Sequence, residues 1–181
     1  QALETADVAV LSSTQVQAMS SAQVAALSTG QVQALSAAAA PGLTTDAVKG
    51  LSNNQVQALT TSALAAMTTT QVGALTTRNL VAITQKSLSS VTDSSLAGLS
   101  TSQVNSLLSA QISALTVAQV AILSTTQFNS LASVQVAALT VAQVKGLTTS
   151  QAFSLGSIQA SGLSAAQATY LETIDIQRIG T

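Results

Sequence analysis

The sequence predicts an all-α fold: a solenoid of very short capped helices, one per eight-residue repeat, with about three helices (24 residues) to each superhelical turn. Three observations lead there. An aliphatic residue recurs at every eighth place from Leu3 to Ile179, giving 22 complete octads without an insertion or deletion. Ser or Thr follows that residue in most octads, with Gln three places later, which is the pairing of a helix-capping box. Residues expected to face outward repeat every 24 residues. An unbroken register of this length means structural units that touch like neighbours.

With slots numbered 0 to 7 from the aliphatic residue, the consensus is L-[ST]-x-x-Q-[VI]-x-[AGS]. Slot 0 is Leu in 18 of 22 octads, slot 1 is Ser or Thr in 17, slot 4 is Gln in 14, slot 5 is apolar in all 22, and slot 7 is Ala, Gly or Ser in 18. A strand is disfavoured, because the apolar slots 0, 5 and 7 do not share a parity. One continuous helix fails as well, because eight residues in two turns need about 4.0 per turn rather than 3.6. A helix that restarts in every octad fits. The slot 1 hydroxyl accepts from the slot 4 amide and the Gln reaches back, as at Ser12–Gln15, Ser100–Gln103 and Thr140–Gln143. The helix then runs through slots 2 to 7 and ends near the next Leu.

The helical period sorts the remaining slots. At about 100° per residue, slot 5 and the following slot 0 lie about 60° apart, and slots 2, 3 and 6 share an opposite arc of about 100°. The charges fall on that arc: Asp93 in slot 2, Asp46, Arg78 and Lys86 in slot 3, Lys49 and Lys145 in slot 6. Glu4, Asp7, Glu172, Asp175 and Arg178 lie in the first and last octads. Charge played no part in setting the register, so this agreement is independent support. Leu, Val and Ala are expected to fill the centre, with slot 7 kept small where one helix meets the next corner.

So short a helix cannot stand alone and must coil against others. Slot 2 at every third octad reads Thr5, Thr29, Asn53, Thr77, Thr101, Thr125, Thr149, Thr173, and slot 6 of the same octads supplies Gln33, Gln57, Asn105, Asn129 and Gln177. These rows predict three octads per turn in one continuous solenoid over residues 1–181. Pro41, preceded by Ala37 to Ala40, predicts a shortened or kinked helix. Leu108, Ala132 and Gly156 remove the cap hydroxyl from three octads spaced by 24. The first octad, LETADVAV, and the last, LETIDIQR, lie 168 residues apart, which is seven turns of 24. The chain therefore reads as a segment of a longer array; polar terminal caps are the alternative.

Composition narrows the function. Only 6% of the 181 residues are charged, five basic and six acidic, and there is no Cys, His or Trp. A disulfide framework, a Cys/His metal site, a thiol nucleophile and a His base are thereby excluded. Five scattered cations do not make a nucleic-acid surface. Mean hydropathy is high at +0.47, yet Ser, Thr or Gln interrupts every apolar stretch, so no membrane span is expected. No cofactor, metal ligand set or catalytic residue is expected, and the chain is read as a non-enzyme. Asp46 and Lys49 predict a surface ion pair, and Asp7 and Asp175 stand in for the capping Gln.

Two surface features remain. Val117, Val134, Val141, Phe153 and Ile158 sit in outward slots, and no charge occurs between Asp93 and Lys145. An apolar, uncharged exterior points to lateral or end-to-end association of like rods. The polar row Thr77, Thr101, Asn105, Thr125, Asn129 and Thr149 is either solvated surface, a contact face for another rod or a glycan, or an ice- or mineral-templating array.

Units such as LSTGQVQA, LTVAQVAI and LTTSQAFS resemble the octapeptide arrays of very large bacterial surface or secreted proteins, often described as adhesin-like. The resemblance covers the whole chain. It implies an extracellular or cell-surface stalk, filament or adhesive spacer, and it carries no catalytic residues. The runner-up expectation is a binding module whose Thr/Asn/Gln face takes a glycan, ice or a peptide.

Overall fold

In each octad six residues suit a helix and two turn the chain. In the computed structural model, which describes residues 3–171, one α-helix of four to six residues forms in every octad from Leu3 to Gly162 except that of Pro41. Residues 165–171 are helical too, and no strand occurs among the described residues. The octad of Leu51 shows the design. Ser52 is extended (φ −70, ψ 161), Asn53–Ala58 is helical, and Leu59 is extended again (φ −57, ψ 129). Gln55 Oε1 accepts from Ser52 N–H at 2.8 Å, and Ser52 Oγ accepts from Gln55 N–H at 3.3 Å. The reciprocal box recurs at Ser12/Gln15, Thr68/Gln71 and Thr140/Gln143. At the other end Leu59 N–H donates to Val56 C=O at 3.2 Å, a three-residue closure that tightens the last turn. Among the described residues none has positive φ. The corner is therefore open to any L-residue, which is why Leu and Ser or Thr can build it.

The departures follow their chemistry. In the Pro41 octad a turn over residues 37–39 leads into a 3-10 helix, Ala40–Gly42, with the proline in its first turn. Asp7 Oδ2 accepts from Glu4 N–H at 2.8 Å, so the carboxylate does the work of the capping Gln. Asp175, Glu172, Arg178, Thr173 and Gln177 lie outside the described residues.

The helices form two compact units, Gln1–Leu99 and Ser100–Thr181. In the first, Thr29–Ala34 packs on Thr5–Ala9 and Asn53–Ala58 packs on Thr29–Ala34; Thr69–Ala74 stands in the same relation to Thr45–Gly50. In the second, Thr125–Asn129 packs on Thr101–Ser106 and Val141–Lys145 on Val117–Ala121. Partners are always three octads apart, so each unit is a solenoid of three helical columns.

The interior corrects one expectation. Slots 0 and 5 are buried, as Leu59, Leu64, Val72, Leu75 and Leu80 show, but the third buried slot is slot 4 and not slot 7. Gln71, Gln111, Gln143 and Gln151 are 3%, 1%, 2% and 1% exposed. Gln71, Gln143 and Gln151 each use both ends of the amide. Gln143 Oε1 accepts from its own N-cap, Thr140 N–H, at 2.7 Å. Its Nε2 donates to the carbonyls of Leu115 at 2.7 Å and Ile112 at 2.9 Å, one turn earlier. Gln151 repeats this on Leu123 and Val120, both at 2.8 Å, and Gln71 on Leu43 at 2.6 Å and Ala40 at 3.0 Å. The acceptor is the slot 0 carbonyl 28 residues back, which in a helix ending at that residue would otherwise be unpaired. The glutamine thus starts its own helix and ties it to the helix beneath.

Slot 7 is small for a different reason from the one expected. It lies over slot 2 of the helix one turn earlier in the same column, not at the next corner. A Cβ on Gly42 would stand 2.0 Å from Ser13 O, and one on Gly162 would stand 2.2 Å from Ser133 O. At two slot 7 serines the hydroxyl bonds there: Ser90 Oγ donates to Thr61 C=O at 3.1 Å and Ser130 Oγ to Thr101 C=O at 3.2 Å. The centre is closed. In the first unit the residual cavity among Val24, Val32, Leu35 and Leu51 measures about 10 Å³, with an entirely apolar lining. That is at the lower limit for a single water, and its lining offers none a partner.

Candidate interaction surface

With the interior filled, interactions fall to slots 2, 3 and 6. All six charges from Asp46 to Lys145 are exposed there. Asp46 and Lys49 lie 3.9 Å apart, both well exposed, as an i, i+3 pair. Lys145 Nζ stands 4.0 Å from the centroid of the Tyr170 ring. Sequence reading missed that contact. Its signal is a spacing of 25 residues from slot 6 to slot 7, the spacing that also joins Asn105 to Ser130 and Asn129 to Ser154.

The five outward apolar residues lie on three columns of the second unit. Val134 and Ile158, 66% and 65% exposed, occupy slot 3 of stacked helices, Ser133–Ala137 and Ser157–Ala160. Leu108, 49% exposed, is on the same column. That column is the one without cap hydroxyls. Gln111 and Gln135 still accept from Leu108 N–H at 2.8 Å and Ala132 N–H at 2.7 Å, so half of each box survives. Val117 and Val141 belong to the next column and are less available, at 40% and 38%. Val117 lies against the helix above: a Cβ on Gly146 would fall 2.1 Å from its Cγ1. Phe153, 64% exposed, occupies slot 6 of the third column. In the first unit, slot 6 of one octad (Lys49), slot 3 of the next (Asn54) and slot 3 three octads later (Arg78) border a single depression. The equivalent places in the second unit hold Asn129, Val134 and Ile158, with Phe153 beside Ile158 one turn on. By this equivalence Val134, Ile158 and Phe153 form one patch.

The polar row is partly committed to the fold. Asn105 Nδ2 donates to the Ser130 carbonyl, and Ser154 Oγ donates to Asn129 Oδ1 at 3.1 Å. Thr125 and Thr149 are half-buried, while Thr77 and Thr101 are exposed. Thr101, Ser102, Asn105 and Ser130 border an open cleft of about 280 Å³. Among the described residues no group of three acidic, His or Cys side chains could hold a metal ion, and no helix is long and apolar enough to cross a membrane.

No curated protein and no solved structure matches the chain. A family model described as ALTTAQ repeat matches residues 1–37. The description has the form of the octad from slot 7 to slot 4, as in Ala26–Gln31 (ALSTGQ) within the match and Ala138–Gln143 (ALTVAQ) beyond it. Residues 1–37 are thus similar to a known repeat family, and the chain is a repeat protein built as stacked helical octads.

Proposed function

We propose that the chain is a non-catalytic structural repeat, a segment of an extracellular fibre, stalk or adhesin spacer at the bacterial cell surface, whose units associate with like copies through their outer faces. The observation that carries this reading is the patch of Val134, Phe153 and Ile158, each about two-thirds exposed: Val134 lies in the charge-free stretch between Asp93 and Lys145, and Phe153 and Ile158 lie in the one between Lys145 and Glu172. Exposed apolar area without interspersed charge favours association and lacks the repulsion that keeps monomers apart. The test is Val134→Lys with Ile158→Lys, followed by light-scattering mass over a concentration series, negative-stain microscopy and circular dichroism. The expected result is wild-type mass that grows with concentration and a helical, monomeric double variant. A double variant that assembles like wild type overturns the reading.

The open cleft at Thr101, Ser102, Asn105 and Ser130 favours a second reading, a binding module for a glycan or peptide. A wild-type chain that stays monomeric at every concentration and is retained on a glycan array would put that reading first.

A further inference from the structure

We propose that the first unit carries a binding site for a tetrahedral oxyanion, a sulfate or phosphate group, in the cleft between the octads of Leu51 and Leu75. The cleft encloses about 570 Å³ and is lined by Lys49, Ser52, Asn53, Asn54, Arg78 and Asn79 among others, with no carboxylate in its wall. The described residues include four cations, Lys49, Arg78, Lys86 and Lys145, and two of them meet here.

The chemistry of the wall is that of a donor set. Arg78 is exposed and has no ion pair or hydrogen-bond partner among the described residues, so its guanidinium is available for the two-pronged contact an oxyanion accepts. Lys49 has only Asp46, 3.9 Å away with both side chains largely in solvent, a pairing too weak to hold the ammonium from a stronger partner. Asn79 occupies the slot that elsewhere holds glutamine. Being one methylene shorter, it still reaches the Leu51 carbonyl at 3.1 Å, and its Nδ2 lies 3.5 Å from Asn53 Oδ1. Its own oxygen is held by Thr76 N–H at 3.1 Å and by Thr76 Oγ1 at 2.6 Å. That chain of contacts engages the Asn53 oxygen as an acceptor and leaves its NH₂ group to donate. Arg78, Lys49 and the Asn53 amide then surround one volume with donors, and a cleft of this size accommodates the anion together with a sugar that bears it.

The test uses the full chain, labelled with ¹⁵N, and follows the Arg78 side-chain Nε–H and the Asn53 and Asn54 side-chain amides. Sodium sulfate is titrated against sodium chloride at matched ionic strength, and a sulfated disaccharide is titrated in parallel. Saturable shifts confined to those groups under sulfate are expected. Arg78→Gln should weaken binding roughly tenfold or more, Lys49→Gln should weaken it less, and Lys86→Gln, a cation outside the cleft, should leave it unchanged. Tighter binding of the disaccharide than of sulfate assigns the site to an anionic glycan; equal binding assigns it to the free ion. Shifts that do not saturate, that appear equally around Lys86, or that survive Arg78→Gln overturn the proposal. All three variants change exposed side chains, so retained helical circular dichroism is expected throughout.

Discussion

Gln143→Glu isolates what the buried amide does. The two side chains are the same size, and the capping acceptor is kept: Thr140 N–H still finds an oxygen where Oε1 stood at 2.7 Å. What disappears is the donor. The Ile112 carbonyl retains the Leu115 N–H at 3.2 Å, so the loss falls on the Leu115 carbonyl, 2.7 Å from the lost Nε2. Leaving that buried acceptor unpaired costs about 1–3 kcal/mol. A carboxylate facing it in a site only 2% exposed adds a desolvation penalty, so the total at pH 7 is about 2–4 kcal/mol. The sign of the pH dependence follows. Burial against carbonyl oxygens raises the folded-state pKa of the introduced carboxyl above its unfolded value of about 4.3. Below that value the group is protonated in both states and can donate its proton to Leu115, so most of the stability returns. As pH rises the unfolded chain releases its proton first, and stability falls until the folded pKa is passed. The assay is the urea midpoint by circular dichroism at about pH 3.5 and pH 7, with Gln15→Glu as control. Gln15 sits in the same slot and the same box, with Oε1 2.8 Å from Ser12 N–H, but it is exposed and its Nε2 meets no acceptor among the described residues. Its substitution should change stability by no more than about 0.5 kcal/mol. Equal shifts for the two variants, or a pH-independent shift for Gln143→Glu, would refute the role given to the amide.

Two further stability changes are expected. Ala132 already has N-cap geometry (φ −71, ψ 159) and lacks only the hydroxyl, so Ala132→Ser should stabilise the chain by about 1 kcal/mol, read as a raised urea midpoint. Gly162→Ala should cost about 1–3 kcal/mol, because its Cβ would stand 2.2 Å from a backbone oxygen, whereas Gly50→Ala, with nothing within 4 Å, should be neutral or stabilising by up to about 1 kcal/mol. Comparison of their thermal midpoints checks both.

The capping box was legible because both its partners lie within four residues, and its spacing is a property of one helix. The turn of three octads was legible because outward residues such as Thr101, Thr125 and Thr149 recur with the column. The burial of slot 4 was missed, although the helical wheel contained it. Counted from slot 0 at about 100° per residue, slot 4 lies about 40° from the following Leu, nearer than slot 5 at about 60°, while slot 7 lies about 100° away. Grouping by residue type put alanine in the centre and left glutamine only its capping role; grouping by angle puts glutamine in the core. A second signal was chemical. A capping box accepts Glu as readily as Gln, yet no octad has Glu in slot 4. Between the first and last octads, where Asp7 and Asp175 stand, slot 4 holds no carboxylate at all, as a side chain needed for its NH₂ would require. The outward apolar patch was only half legible. Slot assignment identified Val134, Phe153 and Ile158, but it could not show that Val117 covers Gly146, because that pairing spans a turn.

The dual use of the amide also accounts for the constancy of the repeat. The donor–acceptor separation of 28 residues is three octads plus the four residues from slot 0 to slot 4. One added residue within an octad would leave the box or the rung below intact, but not both, and would displace every later glutamine that spans the insertion. Loss of a single glutamine is milder, because neighbouring rungs in the same column remain. The chain shows that asymmetry. Slot 4 is replaced by Ala at residues 39, 47 and 63, by Ser at 87 and 95, by Asn at 79 and by Asp at 7 and 175, while the octad length never changes. Where serine stands in, Ser87 and Ser95 accept from the cap hydroxyls of Thr84 and Thr92 at 2.9 Å, and their own N–H groups donate to those same hydroxyls. Serine thus stays bonded to the cap through its hydroxyl rather than the cap N–H, and its side chain's hydrogen bonds stay within its own octad. Local capping and turn-to-turn bonding are therefore separable in substitution but joined in register, and it is register that fixes the length of every repeat.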